Sequence, residues 1–467
     1  MSRYAAALDL GSSKIALAVG EKNDAGVKIV SYLDAPSAGI ECGEIVNDFK
    51  VEEVIRSLVE RTNAQLPEPI GEVTIGLSGR FLHSQDLPCQ ITRPNPSAYI
   101  LEDEVRQITR ARYKASVESD EAVFEAVPQK YSTEDRIGIT HEELIGMVGG
   151  QIDADFKIFY GRKSIRDRRI SLVEKCGLTP GKVILAPIAS ARACLSRPEM
   201  ENGVALVDIG KGLTEVVIIK ENIVRHVAVI PFGGESVTGD IKSVANITRE
   251  WAETVKVRHG RCCEEYAVEN KKLVLRSEND TVEGEIELSL LVRTVEARLS
   301  EILDAVRYII EQAGYAGKIS SGVVITGGAS HHEDLIQLAS ALLGQKIRLA
   351  APQGAIENGS VEDAYDVYAS TAVGLVLETL DPMLSHALDP KDAPAKPTVD
   401  TPVAGIGTLF AEEEEEKEPE PSKPSARELR KQAKLDRKRE KEKEKEKKEE
   451  KKGPSFIDML FSDNNNA

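Results

Sequence analysis

One local pattern occurs twice in this chain and limits the folds that the chain can adopt. Each copy has an apolar run, an Asp-aliphatic-Gly turn and a second apolar run, at residues 4–20 around Asp9-Leu10-Gly11 and at residues 203–219 around Asp208-Ile209-Gly210. The pattern predicts a β-hairpin in each place. Its turn would bring a carboxylate, small side chains and backbone N–H groups to one point, as the phosphates of a nucleotide require.

A third stretch adds to this interpretation. Residues 322–326 are apolar and lead into Gly327-Gly328-Ala329 just before a helical pattern, which predicts a buried strand and a glycine turn. A single Asp-x-Gly turn between strands is more often a tight hairpin without a ligand. The duplicated turn and the third element together favour two phosphate loops over two unrelated hairpins.

Composition sets the broad class of protein. The chain has 467 residues and 41% hydrophobic content, which suits two or three domains with substantial cores. A net charge of −17 argues against a general nucleic-acid binder. The six cysteines lack metal-site spacing and are expected to be reduced thiols. We find no bilayer-spanning apolar run and no signal peptide, so we expect a protein inside the cell.

The two hairpins and the distal glycine turn, in this order, resemble the superfamily of actin, hexokinase and heat-shock chaperone ATPases. Adjoining stretches narrow the resemblance to the FtsA family of bacterial cell-division proteins. They are residues 37–47, Val127-Pro128-Gln129-Lys130-Tyr131 with Gly146-Met147, and residues 231–241, which begin Pro231-Phe232-Gly233-Gly234. The resemblance covers roughly residues 3–380. It implies an α/β, actin-like two-domain ATPase fold of duplicated ribonuclease H-like domains, with an inserted 1C subdomain and a disordered C-terminal tail.

The resemblance also implies a division of the chain into subdomains and tail segments. They are subdomain 1A at residues 1–80 and 161–198, the inserted subdomain 1C at 81–160, subdomain 2A at 199–240 and 319–380, subdomain 2B at 241–318, a disordered charged linker at 381–452, and an amphipathic membrane-targeting segment at 453–463.

Site residues follow from matching the superfamily's motifs onto this sequence, with ATP and Mg²⁺ as the implied cofactors. Asp9 and Asp208 would serve magnesium, directly or through water. The residues expected around the phosphates are Gly11, Ser12, Ser13, Lys14, Gly210, Lys211, Gly212 and Thr214. Those expected around the nucleoside are Gly233, Gly234, Glu253, Lys256, Gly327, Gly328 and Ala329. Lys211 and Glu215 replace a commoner Gly and Asp, so the contacts of the second loop stay open.

Two of these assignments have simpler alternatives. Glu253 and Lys256 are three apart in a helical stretch, which by itself indicates a surface ion pair, whereas the resemblance assigns them to the ribose and adenine. Arg298 matches a family arginine in the lobe that receives the C-terminal peptide of the ring-forming GTPase FtsZ. A solvated helical arginine is the alternative, because the proline that often precedes the family's arginine is missing here.

Catalysis is where this sequence departs from the hydrolytic relatives. In those proteins an acid or amide that orients the attacking water often precedes a proline at this point, and here Ala186 precedes Pro187. Alanine cannot accept a proton, so the factor of about 100 or more that a general base supplies should be lost. We assign no catalytic residue and expect slow or conditional ATP hydrolysis at most.

The last part of the chain differs in composition. Residues 381–426 are rich in proline and acid, and residues 427–452 hold 14 Lys or Arg and 8 Asp or Glu, which suits either a single extended helix or a coil. An apolar cluster then predicts a short amphipathic helix in the membrane interface; a peptide that docks into a protein groove is the alternative. The cluster contains Phe456, Ile457, Met459, Leu460 and Phe461.

The function implied is an actin-like, ATP-binding cell-division protein that polymerises and tethers FtsZ filaments to the inner face of the cytoplasmic membrane. It would act at the division site with FtsZ, its own copies, membrane lipid and other division proteins as partners, and without nucleic acid. The alternatives are a small-molecule kinase or a chaperone-like ATPase of the same superfamily. A kinase would need a substrate pocket with an aspartate base, and a chaperone would continue into a folded β-domain.

Overall fold

A computed structural model describes residues 3–263, 265 and 271–388 of the chain. None of the helices in these ranges is both long and apolar enough to cross a membrane. The predicted linker beyond residue 388 and the predicted amphipathic segment with Phe456, Ile457, Met459, Leu460 and Phe461 lie outside the described residues.

The chain begins with an antiparallel meander, followed by a helix and another strand. These elements are β1 (Arg3–Leu10), β2 (Lys14–Asn23), β3 (Gly26–Pro36), β4 (Ile40–Glu41), β5 (Glu44–Ile45), α1 (Asp48–Asn63) and β6 (Glu72–Leu77). Helix α1 forms because Val51, Ile55 and Leu58 bury one face. Its first turn is capped by Asn47, whose side chain accepts a hydrogen bond from Lys50 N over 3.2 Å.

A second, separate sheet follows in sequence. Its elements are β7 (Leu82–Thr92), α2 (Glu102–Arg112), β8 (Glu121–Ser132), β9 (Ile137–Ile139), α3 (His141–Leu144) and β10 (Gln151–Arg162). The four strands are ordered β7-β10-β8-β9 and all pair antiparallel. They have a core of their own that includes Tyr131 and Phe156.

The chain then completes the first sheet. The elements are α4 (Lys163–Lys175), β11 (Thr179–Leu185), α5 (Ala186–Cys194) and α6 (Arg197–Asn202). The first sheet has the order β11-β6-β1-β2-β3. Strand β1 pairs antiparallel with β2 and parallel with β6, and β6 is parallel to β11. Asp9 therefore lies near the edge where β1, β6 and β11 all end.

A third sheet repeats this topology. The remaining elements are β12 (Val204–Ile209), β13 (Thr214–Lys220), β14 (Ile223–Ile230), α7 (Gly234–Ala245), α8 (Arg249–His259), β15 (Lys272–Arg276), β16 (Val282–Glu287), α9 (Leu288–Gln312), β17 (Val323–Thr326), α10 (Leu335–Leu343), β18 (Ile347–Leu349) and α11 (Ser370–Leu380). The order β14-β13-β12-β17-β18 has the same strand directions as the first sheet. Strands β15 and β16 form a separate hairpin.

Two helices join the repeated sheets into one core. Helix α5 follows the first sheet in sequence but contacts β12 and β13, whereas α11 follows the third sheet but contacts β1, β2 and β6. The two helices cross so closely that a Cβ on Gly374 would lie 1.8 Å from Ala189 O. Only glycine fits at this crossing. The predicted α/β class is confirmed, and the predicted subdomain boundaries stay a prediction.

Candidate functional site

The two predicted phosphate turns face each other across a cavity of about 510 Å³. A Cβ on Gly212, in the second turn, would lie 3.1 Å from Ser12 Oγ in the first turn and 2.8 Å from Cys42 Cα. Ser12 Oγ in turn accepts a hydrogen bond from Gly43 N over 2.9 Å. Glycine at position 212 thus allows the two turns to approach within van der Waals contact.

Most of the residues predicted for the site line this cavity. They are Asp9, Gly11, Ser12, Ser13, Lys14, Asp208, Gly210, Lys211, Gly212, Gly234, Glu253, Lys256, Gly327, Gly328 and Ala329. They come from the ends of β1 and β12 and the turns that follow them, from the first residue of β2, from the turn after β17, and from α7 and α8.

Thr214 and Gly233 are not among the lining residues. Thr214 is fully buried, and its hydroxyl donates to Phe232 O over 2.8 Å. A Cβ on Gly233 would lie 2.4 Å from Gly210 O. Both residues therefore pack the chain after β14 against the second turn, behind the cavity wall.

The carboxylates of Asp9 and Asp208 lie at the base of the cavity. Burial raises the pKa of Asp9 to about 6; the Lys14 ammonium opposes this rise and the charge of Asp208 adds to it. Burial also raises the pKa of Asp208, against the hydrogen bond that Ser190 Oγ donates over 2.8 Å. Two desolvated carboxylates that repel each other are a site where a cation would be stabilised.

Glu215 is a third carboxyl group in this wall, opposite Asp208 in the β12–β13 pairing. Ser78 Oγ, at the end of β6, donates to Glu215 Oε1 over 2.8 Å. Burial raises the pKa of Glu215 to about 8, and the charges of Asp208 and Asp9 add to the rise. Glu215 is therefore mostly neutral at pH 7.

A buried guanidinium supports this wall from behind. The Arg169 side chain donates to Gly43 O over 2.6 Å, to Ser78 O over 2.8 Å and to Ile165 O over 3.0 Å. Burial lowers the pKa of Arg169 to about 10, although the nearby acids Asp9 and Glu215 raise it. Arg169 thus fixes two loops of the first sheet beside the carboxyl groups.

Glu253 and Lys256 form the predicted pair, and it belongs to the cavity wall. Lys256 Nζ donates to Glu253 Oε2 over 2.7 Å, to Thr238 Oγ1 over 2.9 Å and to Gly234 O over 3.1 Å. Burial alone would raise the pKa of Glu253, but the hydrogen bonds from Lys256 and Thr238 lower it overall. The Lys256 side chain is only 10% exposed, so it fixes α8 against α7.

Lys14 already has protein partners. Its Nζ donates to Asp34 Oδ2 over 2.8 Å and to Tyr32 OH over 2.5 Å. The same atom lies 5.0 Å from the centre of the Tyr32 ring and 5.3 Å from that of the Tyr368 ring. The Tyr368 ring stacks on His331, with 5.0 Å between ring centres.

Ala186 begins α5 and also lines the cavity, directly before Pro187. Ala186, to which the sequence analysis assigned no catalytic role, is therefore part of the cavity wall.

Arg298, predicted to contact a partner, lies on α9 and is not part of the cavity lining. Its guanidinium binds both oxygens of Asp240 over 2.6 and 3.0 Å and Glu301 Oε2 over 2.7 Å. It also lies 5.3 Å from the centre of the Phe232 ring. The side chain is 20% exposed, so part of it remains accessible.

The cavity also includes residues that the sequence analysis did not single out. Among them are Gly43, Ser78, Arg249, His331, Tyr368 and Thr371. Ser78 had a usable signal, because it follows an apolar strand pattern and the carboxyl ends of parallel strands meet at one edge of a sheet. Tyr368 had none, since only the tertiary fold brings it to this wall.

Comparisons with known proteins agree with this architecture. The family model for Cell division protein FtsA matches residues 205–374. Over 377 residues the chain is 27% identical to Cell division protein FtsA of Neisseria meningitidis serogroup B, covering 80% of this chain and 89% of that protein. It is 26% identical over 377 residues to Cell division protein FtsA of Escherichia coli, covering 79% and 88%. The PilM-PilN type IV pilus biogenesis complex is similar in fold, with a TM-score of 0.58, 16% identity, and 81% and 99% coverage.

Two sheets of the same topology, joined by crossed helices around one cavity with facing turns, define an actin-like protein. The predicted fold class is therefore confirmed. Within this class the chain is similar to Cell division protein FtsA, by the family model over residues 205–374 and by relatives of that name in several bacteria, which confirms the family that the sequence resembled.

Proposed function

We propose that the cavity binds ATP together with Mg²⁺. The observation that supports this most directly is that Asp9 and Asp208, from two turns about 200 residues apart, line one cavity with Lys14 and Lys211. Its volume of about 510 Å³ is in the range of ligand pockets, ~300–1,000 Å³. Backbone N–H groups of the two turns and the two ammonium groups suit a chain of phosphates.

The two aspartates would hold Mg²⁺, directly or through water, and phosphate oxygens and water would complete its octahedral shell. Gly327, Gly328 and Ala329 would lie beside the nucleoside, as would the Glu253–Lys256 pair. Thr214 and Gly233 would support the second turn from behind, as their packing suggests.

A titration with Mg-ATP tests this proposal. The wild-type protein should bind, and Asp208→Asn should bind at least about tenfold more weakly, because a buried carboxylate near Mg²⁺ is removed. Asp280→Asn is a matched control, since the Asp280 side chain is 83% exposed in the β15–β16 turn and is not part of the cavity lining. Equal affinities of wild type and Asp208→Asn would contradict the proposal.

We further propose slow or conditional hydrolysis. The Ala186 methyl group cannot orient a water molecule, so the walls would close on the nucleotide without turning it over rapidly. Phosphate release by purified protein should stay well below one turnover per second, a rough bound set by the median of about 10 per second for ordinary enzymes. Many turnovers per second would contradict this.

At the level of the cell, we infer that the protein polymerises and tethers FtsZ filaments to the cytoplasmic face of the membrane at the division site. Similarity to Cell division protein FtsA supports this, as does the apolar cluster at residues 456–461 after a lysine-rich stretch. Flotation with anionic liposomes should be strong for the full chain and lost for a chain ending at Lys452. Equal flotation would exclude the anchor, and sedimentation with and without nucleotide tests self-assembly.

Arg298 is the proposed contact for the C-terminal peptide of FtsZ. Its partly exposed guanidinium now pairs with Asp240 and Glu301. It would contact the peptide either in place of these two carboxylates or together with them. Arg298→Ala should weaken peptide binding. Arg307→Ala, on the same helix and also paired with an acid three residues away, should leave peptide binding unchanged. Equal peptide affinities of wild type and Arg298→Ala would remove this assignment.

A further inference from the structure

The register of β2 and β3 places a carboxylate beside the phosphate-site lysine. Lys14 pairs with Pro36 and Ala16 with Asp34, so Lys14 and Asp34 are diagonal neighbours on one face of the sheet. Tyr32 is the next residue on that face of β3. Because β3 is the edge strand, Asp34 remains 44% exposed, whereas the Lys14 side chain is 20% exposed.

The contacts of the Lys14 ammonium consume most of its binding capacity. An ammonium has three N–H donors, and Asp34 and Tyr32 take two of them. Burial, followed by the charge of Asp34, raises the pKa of Tyr32, so its hydroxyl stays a neutral acceptor. The Asp34 carboxylate cancels the charge that would attract a phosphate oxygen.

The ring of Tyr368 contacts both this ammonium and the glycine turn after β17. Tyr368 packs on the glycine turn after β17, since a Cβ on Gly328 would lie 3.0 Å from Tyr368 Cε1. Lys14 therefore already has protein partners for its charge, namely one carboxylate, one hydroxyl and the ring of Tyr368.

We propose that Asp34 competes with the nucleotide phosphates for Lys14 and so sets the affinity of the site. This inference rests on the proposed binding of ATP. Phosphate binding must draw the ammonium from Asp34 or share it with Asp34, and either arrangement costs part of the ion pair. Asp34 is thus an affinity-setting residue that acts through Lys14.

Mg-ATP titrations of Asp34→Asn test this directly. The amide keeps the shape but removes the charge, so binding should tighten by up to roughly fivefold, the range that a half-exposed ion pair is worth. Lys14→Met should bind more weakly than wild type. The double variant should bind no better than Lys14→Met alone, because the gain acts through Lys14.

Asp86→Asn is the matched control. Asp86 Oδ1 lies 2.7 Å from Lys157 Nζ, and Lys157 is 20% exposed like Lys14, but neither residue is part of the cavity lining. The affinity of Asp86→Asn for Mg-ATP should equal that of wild type. Asp34→Ser serves as a second variant if the unfolding midpoint of Asp34→Asn falls.

The outcomes separate this inference from the proposed function. If wild type binds Mg-ATP and Asp34→Asn binds it equally or more weakly, then Asp34 either positions Lys14 or has no effect. That result would overturn the inference but not the proposed function. A gain that survives in the double variant would also overturn it. Wild type that does not bind would overturn the proposed function and the inference together.

Discussion

Ser78 and Glu215 join the two repeated sheets across the base of the cavity. The hydroxyl at the end of β6 donates to the carboxyl group on β13 over 2.8 Å. Glu215 is 9% exposed, and burial raises its pKa to about 8. The neutral carboxyl group is therefore part of the resting structure at pH 7.

This relationship predicts a pH dependence. The pKa of Glu215 rises from 4.5 to about 8 on folding, so between these values the folded state binds a proton that the unfolded state has lost. Wild-type stability should fall as pH rises through this window, by at most about 1.4 kcal/mol per pH unit from this group. The amide of Glu215→Gln does not titrate in this range, so the variant lacks this pH dependence. Its stability relative to wild type should therefore increase from pH 5 to pH 8.

Urea unfolding of both proteins without ligand at several pH values measures this difference. Glu285→Gln is the control, because the Glu285 side chain is 59% exposed in the separate hairpin. Parallel pH profiles of wild type and Glu215→Gln would contradict the buried, neutral carboxyl group.

Gly327→Ala should weaken nucleotide binding and also destabilise the fold. Gly327 has φ +91°, and a Cβ there would lie 2.2 Å from Asp208 Oδ1 and 2.7 Å from Ile209 O. Asp208 would have to move, so Mg-ATP affinity should drop at least about tenfold, and strain should cost about 1–3 kcal/mol of stability. A Cβ on Gly239 meets nothing within 4 Å, so Gly239→Ala should bind normally. Normal binding by Gly327→Ala would contradict the close packing of the turn.

Glu378→Ala should release the segment that follows α11. The Glu378 carboxylate is 1% exposed and accepts hydrogen bonds from the backbone N–H groups of Met383, Leu384 and Ser385 over 3.0–3.1 Å. Its removal leaves several donors without an acceptor, which should cost about 3 kcal/mol or more. Glu362→Ala, at an exposed position, should stay within about 0.5 kcal/mol of wild type in the same chemical unfolding measurement. A similarly small effect of Glu378→Ala would show that water satisfies these donors.

Arg169→Lys should destabilise the first sheet although the charge is kept. The Arg169 side chain is 1% exposed and donates to three carbonyl groups, those of Gly43, Ser78 and Ile165. A lysine cannot reproduce the planar fork of the guanidinium, so the free energy of unfolding should fall by about 2–4 kcal/mol. Mg-ATP binding should also weaken, because Gly43 and Ser78 line the cavity. Arg168→Lys is the control, because that side chain is 45% exposed. Equal stability of both variants would mean that the fork geometry is not required.

The sequence predicted the hairpins and most of the cavity residues because their signals are local. Asp9, Asp208 and Gly327 each lie at the end of an apolar run. At such a position the direction of the strand alone decides which residue reaches the edge of the sheet. The Lys14–Asp34 pair was not predicted, since it depends on the register of an edge strand. Tyr368 was missed for another reason, because only the tertiary fold brings it to the cavity wall. The roles of Thr214 and Gly233 behind the wall also depend on packing that no local pattern encodes.

The crossing of α5 and α11 has a consequence for biosynthesis. Strands β1, β2 and β6 leave the ribosome early, but the helix that covers them ends at Leu380. The apolar face of these strands is synthesised in the first quarter of the chain. It stays uncovered until α11 has been synthesised. The nascent chain should therefore depend on a cellular holdase until that helix emerges, and a ribosome stalled before residue 370 should carry a protease-sensitive amino-terminal half.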